Sequence, residues 1–139
     1  MTKVNVSTIA DITVSRVKSE NGPAGAKRAF DKLESRMPSL KGRKMYGIIY
    51  PKTNEYFACV MLDEEHSDDM GFEKSSIPGG SYAKKKIKNW TSKIREIGSE
   101  FQALKEACIE NGYKIDQVRP SIEFYRSFTE LIIMIPVEG

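Results

Sequence analysis

Ser121-Ile122-Glu123-Phe124-Tyr125, then Arg126-Ser127-Phe128-Thr129, then Glu130-Leu131-Ile132-Ile133-Met134-Ile135-Pro136-Val137: two runs rich in β-branched and aromatic residues flank four loop residues. This pattern predicts a β-hairpin, and the loop length favours a type I turn. It is written twice. Lys44 to Tyr50 and Tyr56 to Leu62 flank Pro51-Lys52-Thr53-Asn54, so that Tyr50 and Glu55 fall on Tyr125 and Glu130, 75 residues on. A helical stripe precedes each hairpin. Ala26, Ala29, Phe30, Leu33 and Met37 form the first, which ends at Pro38; Trp90, Ile94, Ile97, Phe101, Leu104 and Cys108 form the second, with Gly112 as its cap after Asn111. Before the helices, Ser7-Thr8-Ile9-Ala10-Asp11 matches Ser75-Ser76-Ile77-Pro78-Gly79 at a displacement of 68, and each opens a short strand. The displacement grows only in the connections, where insertions are tolerated.

The expected fold is therefore α+β: a duplicated βαββ repeat whose antiparallel strands close around a central cleft in a barrel-like arrangement, with the two main helices outside. One domain spans residues 1–139. Repeat one covers about 1–62, the acidic linker 63–71 and repeat two about 72–139. At 139 residues with 40% hydrophobic and 29% charged side chains the chain buries a core without a staple. Its longest apolar runs, such as Leu131 to Pro136, are far too short to cross a bilayer, so no membrane partner is expected. Met1-Thr2-Lys3-Val4 opens no secretory signal, and the expected location is cytoplasmic. Cys59 and Cys108 stand in apolar surroundings without ligand spacing and read as buried thiols.

Charge excludes more than it assigns. The net charge is +3, and the basic clusters Lys84-Lys85-Lys86 and Lys41 to Lys44 accompany no helix-turn-helix, zinc-finger or aromatic RNA-reading pattern, so no nucleic-acid partner is expected. No phosphate-cradling glycine motif occurs, and no cofactor is expected. A calcium loop starting at Asp63 needs glycine where Asp68 stands, so no metal is expected either. His66, the single histidine, lies in the acidic linker and completes no triad.

Ser76-Ile77-Pro78-Gly79-Gly80-Ser81-Tyr82-Ala83, a helix, Arg119-Pro120-Ser121-Ile122-Glu123-Phe124-Tyr125 and the terminal Leu131 to Val137 strand, in that order, resemble the second half of GyrI-like domains. Met45-Tyr46-Gly47-Ile48-Ile49-Tyr50 resembles the matching strand of the first half. The family includes the effector-binding domains of multidrug-responsive bacterial transcription activators, free-standing members that bind drugs or toxins, and members that hydrolyse reactive small molecules. The resemblance implies two repeats about a pseudo-twofold axis with a ligand cleft between them. It also implies that the glutamate matching the counter-charge of cation-binding members is Glu123.

The residues alone leave Glu123 open between a solvated strand position, an ion pair with Arg119 or Arg126, and a ligand contact, because buried charges are rare without a partner. The resemblance favours the ligand contact. With four-residue hairpin loops, Glu123 is expected opposite Ile132, Ser121 opposite Met134, Ile48 opposite Phe57 and Tyr46 opposite Cys59. The expected ligand-binding set is Glu123, Tyr46, Ile48, Phe57, Tyr82, Trp90, Ser121, Tyr125 and Met134. The expected function is binding of a small amphipathic or cationic organic compound, for sensing, sequestration or toxin neutralisation. The alternatives are a hydrolase of reactive small molecules with Glu123 as general base, and a module that inhibits a protein partner left unspecified.

Overall fold

Apolar alternation and turn residues translate into ten elements in a computed structural model that describes residues 3–138. The order is β1 (Asn5–Ile9), β2 (Ile12–Lys18), α1 (Ala26–Glu34), β3 (Met45–Tyr50), β4 (Glu55–Met61), β5 (Glu73–Ile77), β6 (Gly80–Lys88), α2 (Ile97–Glu110), β7 (Ser121–Tyr125) and β8 (Glu130–Pro136). Each half carries two strands before its helix where one was expected. The reason is a break in a single long strand, at Ala10-Asp11 in one half and Pro78-Gly79 in the other.

All eight strands form one antiparallel sheet in the order β1-β6-β8-β7-β3-β4-β2-β5, a curled half-barrel with two helices. Exchanging the first four strands for the last four leaves this order unchanged read from the other end. The curl is closed where the two broken strands cross, since β1 pairs with β6 while β2 pairs with β5. Gly79 sits at that crossing. Its N–H donates to Asp11 Oδ1 at 2.6 Å, and a Cβ there would lie 2.5 Å from the Ile9 carbonyl oxygen, so only glycine lets the backbones approach. The ion pairs Lys18–Glu55 and Lys86–Glu130 each tie the strand before a helix to the second hairpin strand of the same half.

The two faces of the sheet bury different residues. Inside the curl Val14, Ile48, Phe57, Ile77, Ile122 and Met134 meet in one cluster, joining edge strands to central ones. On the outer face α1 packs Ala29 and Leu33 on Val17, Ala58 and Val60, while α2 packs Leu104 and Cys108 on Ala83, Ile133 and Ile135. Fully burying one such aliphatic side chain contributes roughly 1.5–3 kcal/mol. The second helix ends as expected: Gly112 has φ +82°, Tyr113 N–H reaches the Cys108 carbonyl at 3.0 Å and Gly112 N–H the Ile109 carbonyl at 3.0 Å.

Two expectations need correction. Trp90 does not begin the α-helix: Asn89 adopts the left-handed conformation (φ 56°), and residues 90–96 make two 3₁₀ turns before α2 starts. The β7–β8 register differs by one residue. Tyr125 pairs with Leu131, leaving five residues between them, so Glu123 lies opposite Ile133 and Ile122 opposite Met134. The β3–β4 register is the expected one, with Ile48 opposite Phe57 and Tyr46 opposite Cys59.

Candidate functional site

At the centre of the sheet β3 pairs with β7, and the middle rung of that pair joins Gly47 to Glu123. Strand periodicity sends Glu123, Ser121 and Tyr125 to the outer face, between the two helices, and Ile122 and Phe124 into the curl. Glu123 is 7% exposed, yet among the described residues no cation pairs with it: Arg119 pairs with Asp116 and Arg126 with Glu130. Two phenols hold it instead. Tyr56 O–H donates to Glu123 Oε1 at 2.6 Å and Tyr125 O–H to the same oxygen at 2.8 Å. Gly47 makes this possible, because a Cβ there would lie 2.5 Å from Oε1 and closer still to the Tyr56 hydroxyl.

Aromatic rings brace the phenols. Phe30 on α1 meets both edge-on, at centroid distances of 6.3 Å to Tyr56 and 5.4 Å to Tyr125, and Trp90 packs on Tyr125 at 5.0 Å. Trp90 is itself pinned, its indole N–H donating to the Ser127 carbonyl at 2.8 Å. In front of the carboxylate lies a cavity of about 500 Å³ between the start of α1 and the first half of α2, walled by Ile49, Tyr56, Ile97, Phe101 and Tyr125. The wall is mostly apolar, with Lys105, Asp116, Gln102 and Ser121 also on it, and that size and lining suit a small organic molecule.

The electrostatics follow from burial. Desolvation pushes the Glu123 carboxyl above the ordinary carboxylate range, and the two phenol hydrogen bonds oppose the shift without cancelling it. Burial and the adjacent carboxylate push both phenols upward, so they remain donors at neutral pH. Both tyrosine donors point at Oε1. Among the described residues Oε2 accepts no hydrogen bond, and Glu123 lines the cavity.

Of the nine residues expected at a site, Glu123, Ser121 and Tyr125 line this cavity, and Trp90 stands behind Tyr125 without lining it. Tyr46, Ile48, Phe57, Tyr82 and Met134 lie on the other face, inside the curl. Tyr46 stacks on Phe124 there at 4.7 Å, and Tyr82 donates its hydroxyl to the Pro78 carbonyl. They are core residues: the outer-face positions of β3 and β4 beside Glu123 are Gly47, Ile49 and Tyr56, one position away in each strand. Tyr56, Phe101 and Gly47 were not among the expected site residues. A lone glycine inside an apolar strand was the available signal, since it marks a close approach by another group.

By sequence the chain matches no protein-family profile and no curated protein. Its fold is shared with solved structures. The C-terminal domain of EcmrR aligns with a TM-score of 0.73 at 12% identity, covering 99% of this chain and 98% of that one. An integron cassette protein from the mobile metagenome of Vibrio cholerae aligns at 0.70 and 18% identity over 97% and 95% of the two chains. SAV2435, solved bound to tetraphenylphosphonium, aligns at 0.63 and 13% identity over 99% and 95%.

Proposed function

We propose that this protein is a GyrI-like domain that binds a small amphipathic organic cation in the cavity between α1 and α2. Glu123 is the counter-charge, and Tyr56, Tyr125 and Phe101 are the walls. One observation carries the reading: a carboxylate 7% exposed has no cationic partner among the described residues and lines a mostly apolar cavity. A buried charge left this way costs several kcal/mol, which a cationic ligand offsets on binding. The aromatic walls add cation–π attraction of roughly 0.5–2 kcal/mol per face. The fold shared with a protein solved around a lipophilic cation supports the same reading.

The cavity's carboxyl, raised above its usual range, also suits a general base acting on water beside an electrophile. Native mass spectrometry of the protein mixed with a panel of lipophilic cations and reactive electrophiles separates the two roles. The expected result is a one-to-one complex whose ligand is recovered intact after incubation. Consumption of an electrophile at a rate dependent on Glu123, with no stable cation complex, would replace binding by hydrolysis.

A further inference from the structure

The two oxygens of Glu123 are in different situations. Oε1 already accepts two O–H donors, from Tyr56 and Tyr125, which fill the two lone-pair directions of a carboxylate oxygen. Among the described residues Oε2 accepts none, and Glu123 lines the cavity. Oε1 occupies the space that a side chain at Gly47 would fill, and Tyr56 holds it there from β4. A cation arriving from the cavity therefore meets an oxygen without a protein donor in a mostly apolar wall that also carries Lys105 and Asp116. A directed N–H satisfies that oxygen with a short charge-assisted hydrogen bond. A quaternary ammonium or phosphonium shields its charge behind carbon and leaves Oε2 desolvated without a donor, the costly arrangement for a buried polar atom.

We propose that the cavity selects protonated amines carrying at least one N–H over permanently charged cations of the same shape. This rests on the cation-binding reading above and narrows its ligand class. Oε2 takes the ammonium proton, the phenols keep Oε1 in place, and the apolar part of the amine lies along Phe101, Ile97 and Ile49.

The test uses three ligands on one skeleton: a diphenylpropyl dimethylamine, protonated at neutral pH, its trimethylammonium salt, and the neutral diphenylpropyl alcohol. Each is titrated by calorimetry into the wild-type protein and into Glu123→Gln, whose folding is checked by thermal unfolding. The amine is expected to bind at least about tenfold more tightly than the trimethylammonium salt, the lower end for a hydrogen bond to a charged group. The alcohol is expected to be weaker than the amine, and the advantage of the amine over the salt is expected to vanish in Glu123→Gln. The comparison on wild type stands even if that variant does not fold. Equal or tighter binding of the salt overturns the inference. If both cations bind alike and both lose affinity in Glu123→Gln, selectivity fails while cation binding survives. If neither cation binds, both ideas fail together.

Discussion

Gly47 and Glu123 face each other on the middle rung of the central strand pair, and the side chain that one lacks makes room for the carboxylate of the other. Gly47→Ala places a methyl group against Glu123 Oε1 and the Tyr56 hydroxyl. Both are buried and hydrogen-bonded to each other, so neither retreats freely. Thermal unfolding should show a loss of about 1–3 kcal/mol, the usual cost of overpacking. A melting temperature unchanged from wild type would mean that the carboxylate is not held where the structure puts it.

The raised pKa of Glu123 gives stability a definite pH dependence. A carboxyl whose folded pKa exceeds its unfolded value, about 4.3, binds its proton more tightly in the fold, so its contribution is fully present below that pH. It is lost as pH rises through the folded pKa. Glu123→Gln removes the titration. Relative to wild type the variant should gain stability as pH rises through the folded pKa of Glu123. Urea unfolding of both proteins across that window checks this, and a wild type that gains stability over Glu123→Gln as pH rises would reverse the sign.

Removing one phenol donor should push the Glu123 carboxyl higher still. In Tyr125→Phe, Oε1 loses one of its two hydrogen bonds while the ring contacts with Phe30 and Trp90 remain. The titration of the carboxyl, followed by NMR, should move to higher pH than in wild type, because the charged form loses a hydrogen bond. Tyr56→Phe should act in the same direction. A titration midpoint that falls in either variant would mean that the phenols do not donate to Glu123.

How far the fold was readable depends on the range of each contact. The β3–β4 hairpin register is local, and Ile48 and Phe57 pair as its loop length implied. The second hairpin slipped by one residue because Leu131, not Glu130, meets Tyr125, and one step moves every side chain to the opposite face. Met134 accordingly joined the core. Tyr46, Ile48 and Phe57 were misplaced for another reason. Which face of β3 accompanies Glu123 is decided by the β3–β7 pairing, a contact between halves that no local spacing encodes. Glu123, Ser121 and Tyr125 were legible as one face because alternation within a strand is local. Phe101 read as part of a helical stripe, and only the position of α2 over the cavity distinguishes a wall from core packing.

Arg119 and Arg43 precede the two strands of the central pair, and they differ in how their side chains are satisfied. Arg119 is anchored three residues after Asp116, its Nε donating to Oδ2 at 2.7 Å and its other nitrogens to the carbonyls of Gly79, Ser81 and Val137. Arg43 stands three residues after Leu40, and among the described residues its Nε and Nη2 are the buried side-chain atoms left without a partner. Leu40 is 45% exposed, so little burial is lost by replacing it. Leu40→Asp should stabilise the protein by about 1 kcal/mol through a new hydrogen bond to Nε. Chemical denaturation measures this directly, and a destabilised variant would show that the second half is no template for the first.

The central claim is that Glu123 is the counter-charge of a cation-binding cavity. Isothermal titration of the protonated diphenylpropyl dimethylamine into wild type and Glu123→Gln tests it most directly, because the substitution removes the charge and keeps the shape. The expected result is saturable one-to-one binding by wild type and a loss of about 1.5–3 kcal/mol in the variant, roughly tenfold or more in Kd. Equal affinity in the two proteins, or no saturable binding to wild type, would contradict the claim.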